Sequence, residues 1–261
     1  MTIDQMTRRV RSFGATDSIA RIRWAKALGV GGVLAYNWWV VILFFPRLTP
    51  SVNGFFSDLE ANGQPHAGLL SDADVVAGVA MVGALLLRGS RGGGGVRREW
   101  KWLVAFALCG AVGGRYPYAC AEGLSAACRH LEWHLQLPAH HYVHVVTGIA
   151  EFALVTGAAV IAMRRTRHDG SVESGIYRGV VGLLIVAYPL LGLVYLTDRL
   201  GLFVEPIFFV TFSLVFLTEV YEPIRRTPLS GLTSGGDREG PVINDLHRGV
   251  DVGRNLRFCP A

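Results

Sequence analysis

Long runs of apolar residues alternate with short polar segments along most of the chain. Six runs approach the roughly 20 residues that a helix needs to cross the hydrocarbon core of a bilayer. The third run is short, and Asp72 and Asp74 interrupt the second. The pattern therefore predicts an all-α integral membrane protein with a bundle of six transmembrane helices, namely Ala27–Phe45, Ala67–Leu87, Trp102–Tyr116, Val143–Met163, Gly179–Thr197 and Leu202–Val220.

The segments around these runs divide the chain into three parts. Residues 1–26 are a basic N-terminal segment, and residues 27–222 are the transmembrane domain. Residues 223–261 form a polar, glycine-rich tail without hydrophobic periodicity, a composition typical of disorder. The first run is longer than the core of a signal peptide and no small-residue cleavage pattern follows it, so we interpret it as a retained anchor.

Composition supports a membrane protein, and the positive charges predict its orientation. The chain is 51% hydrophobic and 17% charged, with a mean hydropathy of +0.36, whereas soluble domains average about 25% charged residues. Of the 25 lysines and arginines, 21 lie before the first run, after the sixth, or in the loops 2–3 and 4–5. Because cytoplasmic segments carry the excess of these residues, we expect a multi-pass protein of the cell membrane with both termini, and therefore the tail, in the cytoplasm.

The loop between the third and fourth runs contains two cysteines and lies outside the cytoplasm in this topology. Cys120 and Cys128 are eight residues apart, and an oxidising compartment favours a disulfide between them. A pair of free thiols is the alternative. Cys109 lies inside the third run and Cys259 in the tail, and the sequence suggests a partner for neither.

Several short motifs lie in and between the runs. They are Ser57-Asp58-Leu59, "GQPHA" at 63–67, "DVVAG" at 74–78, "YPYAC" ending at Cys120 with Cys128 after it, His144, and the pair Asp198-Arg199. Together they resemble a bacterial membrane family known as "domain of unknown function 998", over about residues 25–222. The chain departs from that family at Ala119, where an acid is usual, and at His66, where tyrosine is usual. The resemblance implies a six-helix membrane fold and an extracytoplasmic disulfide, and it implies no reaction.

Several polar residues inside the predicted spans lie at a common depth. A helix rises about 1.5 Å per residue, and counting from the basic and aromatic residues at the helix ends places four side chains in the outer third of a core of roughly 30 Å. They are Asp74, Arg115, Glu151 and Asn37, with Arg199 and Glu205 just above them. Charged side chains at such depth face the bundle interior or a wet cavity.

These residues predict an acidic pocket that opens outward in the outer leaflet. A protonated acid beside an ionised one suits acid–base catalysis. The candidate catalytic residues are Asp74, Glu151, Arg115 and His144, and the candidate pocket-lining residues are Asn37, His66, Asp72, Arg199 and Glu205. The alternative is a buried ion-pair network, with Asp74 paired to Arg115, that only holds the helices together.

Five of the eight histidines lie between residues 129 and 144. On a helix, His140 or His141 shares a face with His144, and His66 or Asp72 would complete the three or four ligands that Zn²⁺ takes. Imidazole rings also suit a membrane–water interface, as do the neighbouring Trp133 and Tyr142. The pattern favours the interfacial interpretation. The cofactor therefore stays unknown, with zinc or another divalent ion as the alternative.

Two classes of function are compatible with these features. One is a membrane enzyme, a hydrolase, transferase or cyclase, acting on a lipid or prenyl substrate. The other is a non-enzymatic lipid-handling or scaffold protein whose buried charges are structural. Transport is weaker because no inverted repeat is visible. Membrane lipids are the expected partners. Nucleic acid is not, because the arginines are spread over four segments without interleaved aromatic residues. Whether the chain is an enzyme, and its oligomeric state, stay open.

Overall fold

The computed structural model describes residues 3–41, 55–89, 98–168, 171–197, 199 and 201–221, without the side chains of residues 3–18 and 202. Seven α-helices occur among these residues. No strand occurs among these residues. Two short 3₁₀ helices, Phe56–Glu60 and Glu122–Leu124, lie in the connections. The α-helices are α1 Ile3–Tyr36, α2 Ala67–Gly89, α3 Arg98–Arg115, α4 Ala126–Trp133, α5 Ala139–Thr166, α6 Val172–Thr197 and α7 Gly201–Tyr221.

The six long helices pack as a closed ring. Each contacts the next long helix along the chain, and α7 returns to contact α1. Helix α7 also reaches across to α5 and α2. The ring encloses an apolar core to which several helices contribute. Its large buried side chains include Met81, Phe106, Leu184, Phe212 and Phe216.

Small residues allow α2 and α3 to approach closely. A Cβ on Gly78 of α2 would collide with the carbonyl oxygen of Ala107 and lie 2.8 Å from the Cβ of Ala111. A Cβ on Gly114 of α3 would lie 2.5 Å from the carbonyl oxygen of Ser71. Interfaces between membrane helices favour such small residues because they let two backbones come into contact.

Four helices of the described part of the chain are long and apolar enough to cross a membrane: Ala67–Gly89, Ala139–Thr166, Val172–Thr197 and Phe203–Tyr221. They correspond to the second, fourth, fifth and sixth predicted spans. The first and third predicted spans are not among them. Helix α3 has 18 residues and carries charges at both ends. Helix α1 covers the first predicted span as far as Tyr36, and residues 42–45 of that span lie outside the described residues. The four apolar helices are compatible with a membrane-embedded protein.

The outer surface of the bundle is itself apolar. Large hydrophobic side chains are exposed along several helices, among them Leu86, Val146, Ile185, Leu196 and Phe203. Monomeric soluble proteins rarely expose continuous apolar patches of more than a few hundred Å². A surface of this kind fits contact with lipid tails.

One end of the ring is closed by a charged network. Arg165 of α5 bonds Glu99 of α3 at 2.6 Å and Glu219 of α7 at 3.0 Å. Glu219 is buried and also accepts hydrogen bonds from the Tyr177 hydroxyl at 2.6 Å and the Trp100 indole at 2.9 Å. Four helices are thereby joined at this end. Sequence analysis did not single out any of these five residues.

The opposite end carries the loops with the cysteines and histidines. Cys120 and Cys128 form a disulfide, with 6.0 Å between their Cα atoms, which confirms that prediction. Ser125 caps α4 by accepting a hydrogen bond from the Cys128 amide, as serine commonly does at a helix start. Cys109 is a half-buried free thiol on α3.

The chain divides into two units, Met1–Glu222 and Pro223–Ala261. The second unit, which includes Cys259, lies outside the described residues, and so does the expected disorder of the tail.

Candidate functional site

A cavity of about 420 Å³ lies within the ring, at the end that carries the disulfide. The ends of all six long helices contribute to its wall, together with the 3₁₀ segment Phe56–Glu60. Most of the lining side chains are aromatic or aliphatic, including Tyr36, Phe106, Phe209 and Phe212. Its volume falls in the range of about 300–1,000 Å³ that is usual for small-molecule sites.

Four carboxyl groups line this apolar cavity: Glu60, Asp74, Glu151 and Glu205. Each comes from a different element, since Glu60 ends the 3₁₀ segment and the others lie on α2, α5 and α7. No lysine or arginine is among the lining residues that the structure describes. The cavity therefore concentrates acidic groups without a cationic side chain to balance them.

Neutral donors hold these carboxyl groups in place. The Tyr36 hydroxyl donates to Glu151 Oε2 at 2.9 Å, and the Trp38 indole donates to Asp74 Oδ1 at 3.0 Å. The backbone amide of Phe56 donates to Glu205 Oε2. Because charge-assisted hydrogen bonds are among the stronger ones, these contacts fix the orientation of three acids and tie α1 and the 3₁₀ segment to α2, α5 and α7.

Glu60 and Asp74 share a hydrogen bond between their carboxyl groups. Such a bond requires a proton on one of them. Burial, followed by the negative charge of Asp74 and this hydrogen bond, raises the pKa of Glu60 well above its ordinary value. Glu60 is 3% exposed, and its Oε2 has no hydrogen-bond partner among the described residues. The pair therefore holds an acidic proton at the cavity wall.

The cavity reaches the surface of the bundle between α5 and α6. Of its lining residues, the three that are exposed are Ile149, Tyr188 and Gly192, and all lie on these two helices. A Cβ on Gly148 or Gly192 would meet no described atom within 4 Å beyond its own helix. The opening therefore lies on the flank of two apolar helices, where lipid tails would lie in a membrane.

His144 is the one histidine that lines the cavity within the described residues. Its Nδ1 lies 3.0 Å from the carbonyl oxygen of Gly113 and 3.2 Å from that of Tyr116. Since a carbonyl oxygen can only accept, Nδ1 carries the proton and Nε2 keeps its lone pair. His144 can therefore accept a proton or a hydrogen bond through Nε2.

The structure gathers four of the predicted site residues and separates the others. Asp74, Glu151, His144 and Glu205 line one cavity. Five predicted residues do not line it: Asn37, His66, Asp72, Arg115 and Arg199.

Arg115 and Asn37 are held elsewhere. Arg115 is exposed on the last turn of α3, with its guanidinium carbon 5.9 Å from the ring centroid of Tyr116, and the structure does not pair it with Asp74. The Asn37 amide donates to the Val33 carbonyl at 2.7 Å and to the Ser213 hydroxyl at 2.9 Å. His66, Asp72 and Arg199 are exposed, because they lie on the rim of the bundle or on its outer face.

The histidines that the structure describes do not gather into a metal site. No group of three or more histidine, cysteine or acidic side chains among the described residues has a metal-binding arrangement. His141 is buried, where its Nδ1 accepts from the Ala119 amide at 3.3 Å and its Nε2 donates to Glu132 at 3.1 Å. His140 is half-buried on the same turn. Both ring nitrogens of His141 are thus occupied by protein groups.

A second acidic cluster lies above the cavity, in the disulfide-linked loops. Asp58 accepts from the Gly123 amide at 3.2 Å, and burial raises its pKa to about 6. Burial, and then the hydrogen bond and charge of Glu132, raise the pKa of Glu122 to about 8. Burial also acts on Glu132, but the hydrogen bonds from His141 and Glu122 outweigh it and lower its pKa. The hydrogen bond to Asp58 links the 3₁₀ segment Phe56–Glu60 to the disulfide-linked loop.

Sequence analysis missed Tyr36, Trp38 and Glu60. Counting along spans finds acids that lie on long helices, whereas Glu60 lies on a short 3₁₀ segment outside them. Glu60 lies directly before a turn that includes Gly63, at φ +87°. This position does not indicate from the sequence that the Glu60 side chain is buried within the bundle. Tyr36 and Trp38 are aromatic residues in an apolar run, where the common expectation is core packing or the membrane interface.

Comparison with known proteins identifies a family without a known activity. A family model described as "Protein of unknown function (DUF998)" matches residues 29–218. No curated protein and no solved structure matches the chain significantly.

Proposed function

The chain belongs to the family described as protein of unknown function (DUF998), and from that premise we propose that it is a six-span membrane enzyme that performs acid–base chemistry on a lipid or prenyl substrate. The observation that carries the proposal is the apolar cavity with the hydrogen-bonded pair Glu60 and Asp74 in its wall. It combines space for an apolar molecule with a proton that can be donated.

The ring of helices supports six spans. Helix α1 packs between α2 and α7, and α3 packs between α2 and α5. Both therefore lie between helices that are apolar enough to cross a membrane. This packing favours a bilayer position for these two helices beside the four apolar ones.

The position of the opening supports a lipid substrate. An opening between α5 and α6 meets the bilayer rather than water, so an apolar molecule can enter sideways without leaving the membrane. The absence of lysine and arginine from the described lining residues disfavours a phosphate or diphosphate in the cavity, because such a group would meet four carboxyls. The favoured substrate is a neutral lipid or prenyl compound.

Among acid–base reactions, the cavity fits acid-initiated cyclisation best. A proton from the Glu60–Asp74 pair adds to a carbon–carbon double bond and leaves a carbocation. The electrons of a second double bond close the ring, and loss of a proton to a cavity carboxylate or to His144 Nε2 restores the acid. Aromatic rings such as Tyr36 and Phe209 stabilise positive charge through their π-electrons, and a closed cavity excludes the water that would otherwise capture the carbocation.

Deuterium incorporation tests this reaction. Purified full-length protein is incubated in D₂O with geranylgeraniol, with squalene, and with a lipid extract of the membranes that contain it. Mass spectrometry then measures deuterium bound to carbon. We expect incorporation with the wild-type protein and its loss in Asp74→Asn, which keeps the shape of the side chain but removes one of the two carboxyl groups that share the proton.

Asp72→Asn is the matched control, because Asp72 is exposed on the same helix and does not line the cavity. It should retain incorporation. The proposed reaction is wrong if no lipid gains deuterium above the Asp74→Asn background, provided that both variants unfold at a temperature close to that of the wild type.

A structural role for the acids is the second candidate, favoured by their hydrogen bonds. Tyr36 to Glu151 and Trp38 to Asp74 each join two elements of the bundle, as a scaffold would require. In that case Asp74→Asn would lower thermal stability while no lipid gains deuterium in either protein. The two functions therefore give opposite results in the same experiment.

A further inference from the structure

The cavity contains more acidic side chains than the proposed reaction needs. Four carboxyl groups line about 420 Å³ of otherwise apolar space. Three of them accept hydrogen bonds from Tyr36, Trp38 and the Phe56 amide, which are neutral donors. Hydrogen bonding orients these carboxyls but adds no positive charge. Because Glu60 and Asp74 share one proton, the pair keeps one negative charge that an occupant of the cavity has to tolerate.

An independent observation marks the place where a ligand would bind. Glu60 Oε2 is buried in the cavity wall and has no hydrogen-bond partner among the described residues. Most buried polar side-chain atoms are hydrogen-bonded, and an unpaired one calls for an explanation. A donor that enters the cavity with its ligand would satisfy this atom.

The surroundings favour an organic cation over a metal ion. No arrangement of three ligating side chains suited to a metal occurs among the described residues. The rings of Tyr36, Trp38 and Phe209 line the same cavity, and aromatic rings attract ammonium groups when water is excluded. Beside the rings, the carboxyls supply the negative charge that such a group needs.

We propose that the cavity binds amphiphilic organic cations, with a protonated tertiary amine donating a hydrogen bond to Glu60 Oε2 beside Asp74 and a single apolar chain extending through the opening between α5 and α6. The exposed Ile149, Tyr188 and Gly192 at that opening suit an apolar chain. This inference rests on the proposed function for its site, but it requires no reaction. It also extends that function, because an ammonium ion resembles the positive charge that forms during acid-initiated cyclisation.

Binding of four single-chain probes tests the inference. The full-length protein in a maltoside detergent is titrated with N,N-dimethyldodecylamine, dodecyltrimethylammonium, dodecanol and dodecanoate, and microscale thermophoresis gives the affinities. We expect the protonated amine to bind about ten- to a hundredfold tighter than dodecanol, the range of an interaction with a charged hydrogen-bond partner. Dodecyltrimethylammonium carries the same charge but has no N–H to donate, so it should bind less tightly than the amine and more tightly than dodecanol. Dodecanoate should bind most weakly.

Variants assign the preference to the proposed contact. Glu60→Gln should remove most of the advantage of the cations over dodecanol, whereas Asp72→Asn should leave it unchanged. If Glu60→Gln does not fold, the order of the four probes on the wild-type protein still decides. Equal binding of cations and dodecanol, or tighter binding of dodecanoate, overturns the inference.

The outcomes separate this inference from the proposed function. Binding of dodecanol without a preference for cations refutes the cation site and leaves the lipid site intact. If no probe binds, the cavity does not take up apolar chains and both proposals fail. Tight binding of cations without deuterium incorporation into any lipid supports the cation site and refutes the enzyme.

Discussion

Glu122 shows how a single buried acid can make the stability of the loops depend on pH. It lies in the cluster above the cavity, beside Glu132 and Asp58, with Arg129 as the nearby cation that partly offsets them. Burial and Glu132 raise its pKa from the ordinary 4.5 to about 8. The folded chain therefore retains a proton at pH values where the unfolded chain has released it.

The sign of the pH effect follows from this shift. A carboxyl whose pKa is raised by folding stabilises the protein fully below the unfolded pKa, and this contribution is lost as pH rises through the folded pKa. We expect the unfolding temperature of the wild type to fall between about pH 5 and pH 8.5. Glu122→Gln, which mimics the protonated form, should fall less, measured by differential scanning fluorimetry across that range.

Glu132→Gln provides the contrast for this prediction. The pKa of Glu132 is lowered, chiefly by the hydrogen bond from His141 acting against burial, so its contribution is present above the ordinary pKa and lost as pH falls. Its replacement should lower the unfolding temperature most at neutral and higher pH. Parallel curves for wild type and Glu122→Gln would show that Glu122 does not titrate in this range.

Some of the acids that line the cavity could be predicted from the sequence. Asp74, Glu151 and Glu205 lie on regular helices, where counting residues gives the depth of a side chain in the predicted bilayer. A charge at that depth is costly if it faces lipid, so such residues are expected in the bundle interior. Counting does not give the direction in which a side chain points around the helix. Arg115, for example, lies on the exposed face of α3, and the structure does not pair it with Asp74.

At the scale of elements, α5 and α6 flank the opening of the cavity. Gly148 on α5 and Gly192 on α6 leave space that any larger side chain would fill. The opening could not be predicted from the sequence, since glycines in apolar helices more often mark close packing. Gly78 and Gly114 are of that closely packed kind, and only coordinates distinguish the two.

Filling the opening should block lipid entry without disturbing the bundle. We expect Gly192→Phe to lower the amount of lipid that copurifies with the protein, measured by native mass spectrometry, and to slow binding of dodecyltrimethylammonium by about tenfold or more, as a gating contact can. Gly182→Phe is the matched control, because Gly182 is also exposed on α6, has open space around it and does not line the cavity. Equal lipid content in the two variants would contradict a lateral entrance.

The first and third predicted spans show where apolar runs are insufficient at the element scale. Helix α3 is 18 residues long, and its terminal charges reduce the apolar stretch. It is nevertheless central, since it packs against both α2 and α5. Short or charged helices can lie within a membrane when neighbouring helices cover them. Whether α1 and α3 cross the membrane therefore depends on tertiary contacts, which the pattern of apolar residues does not reveal.

At the scale of the whole molecule, the two ends of the bundle differ in charge and in openness. One end carries Arg88, Arg164 and Arg178 and is closed by the network around Glu219. The other end carries the disulfide and the acidic cavity. The excess of lysine and arginine on one side predicts that the closed end faces the cytoplasm. An acidic cavity in the outer leaflet would then draw its ligand from the outer side of the membrane.

Cysteine labelling of intact cells tests this orientation with two exposed positions at opposite ends. Gln136, between α4 and α5, and His168, just after α5, are both exposed, so a cysteine at either site should be tolerated. We expect a membrane-impermeant maleimide to label Gln136→Cys in intact cells and His168→Cys only after the membrane is opened, because the excess of positive charge keeps the second end inside. The wild-type protein, which already contains Cys109 and Cys259, gives the background labelling, and labelling after permeabilisation confirms that both new cysteines are reactive. Labelling of His168→Cys from outside would reverse the orientation, place the acidic cavity in the inner leaflet and require its ligand to come from the cytoplasmic side.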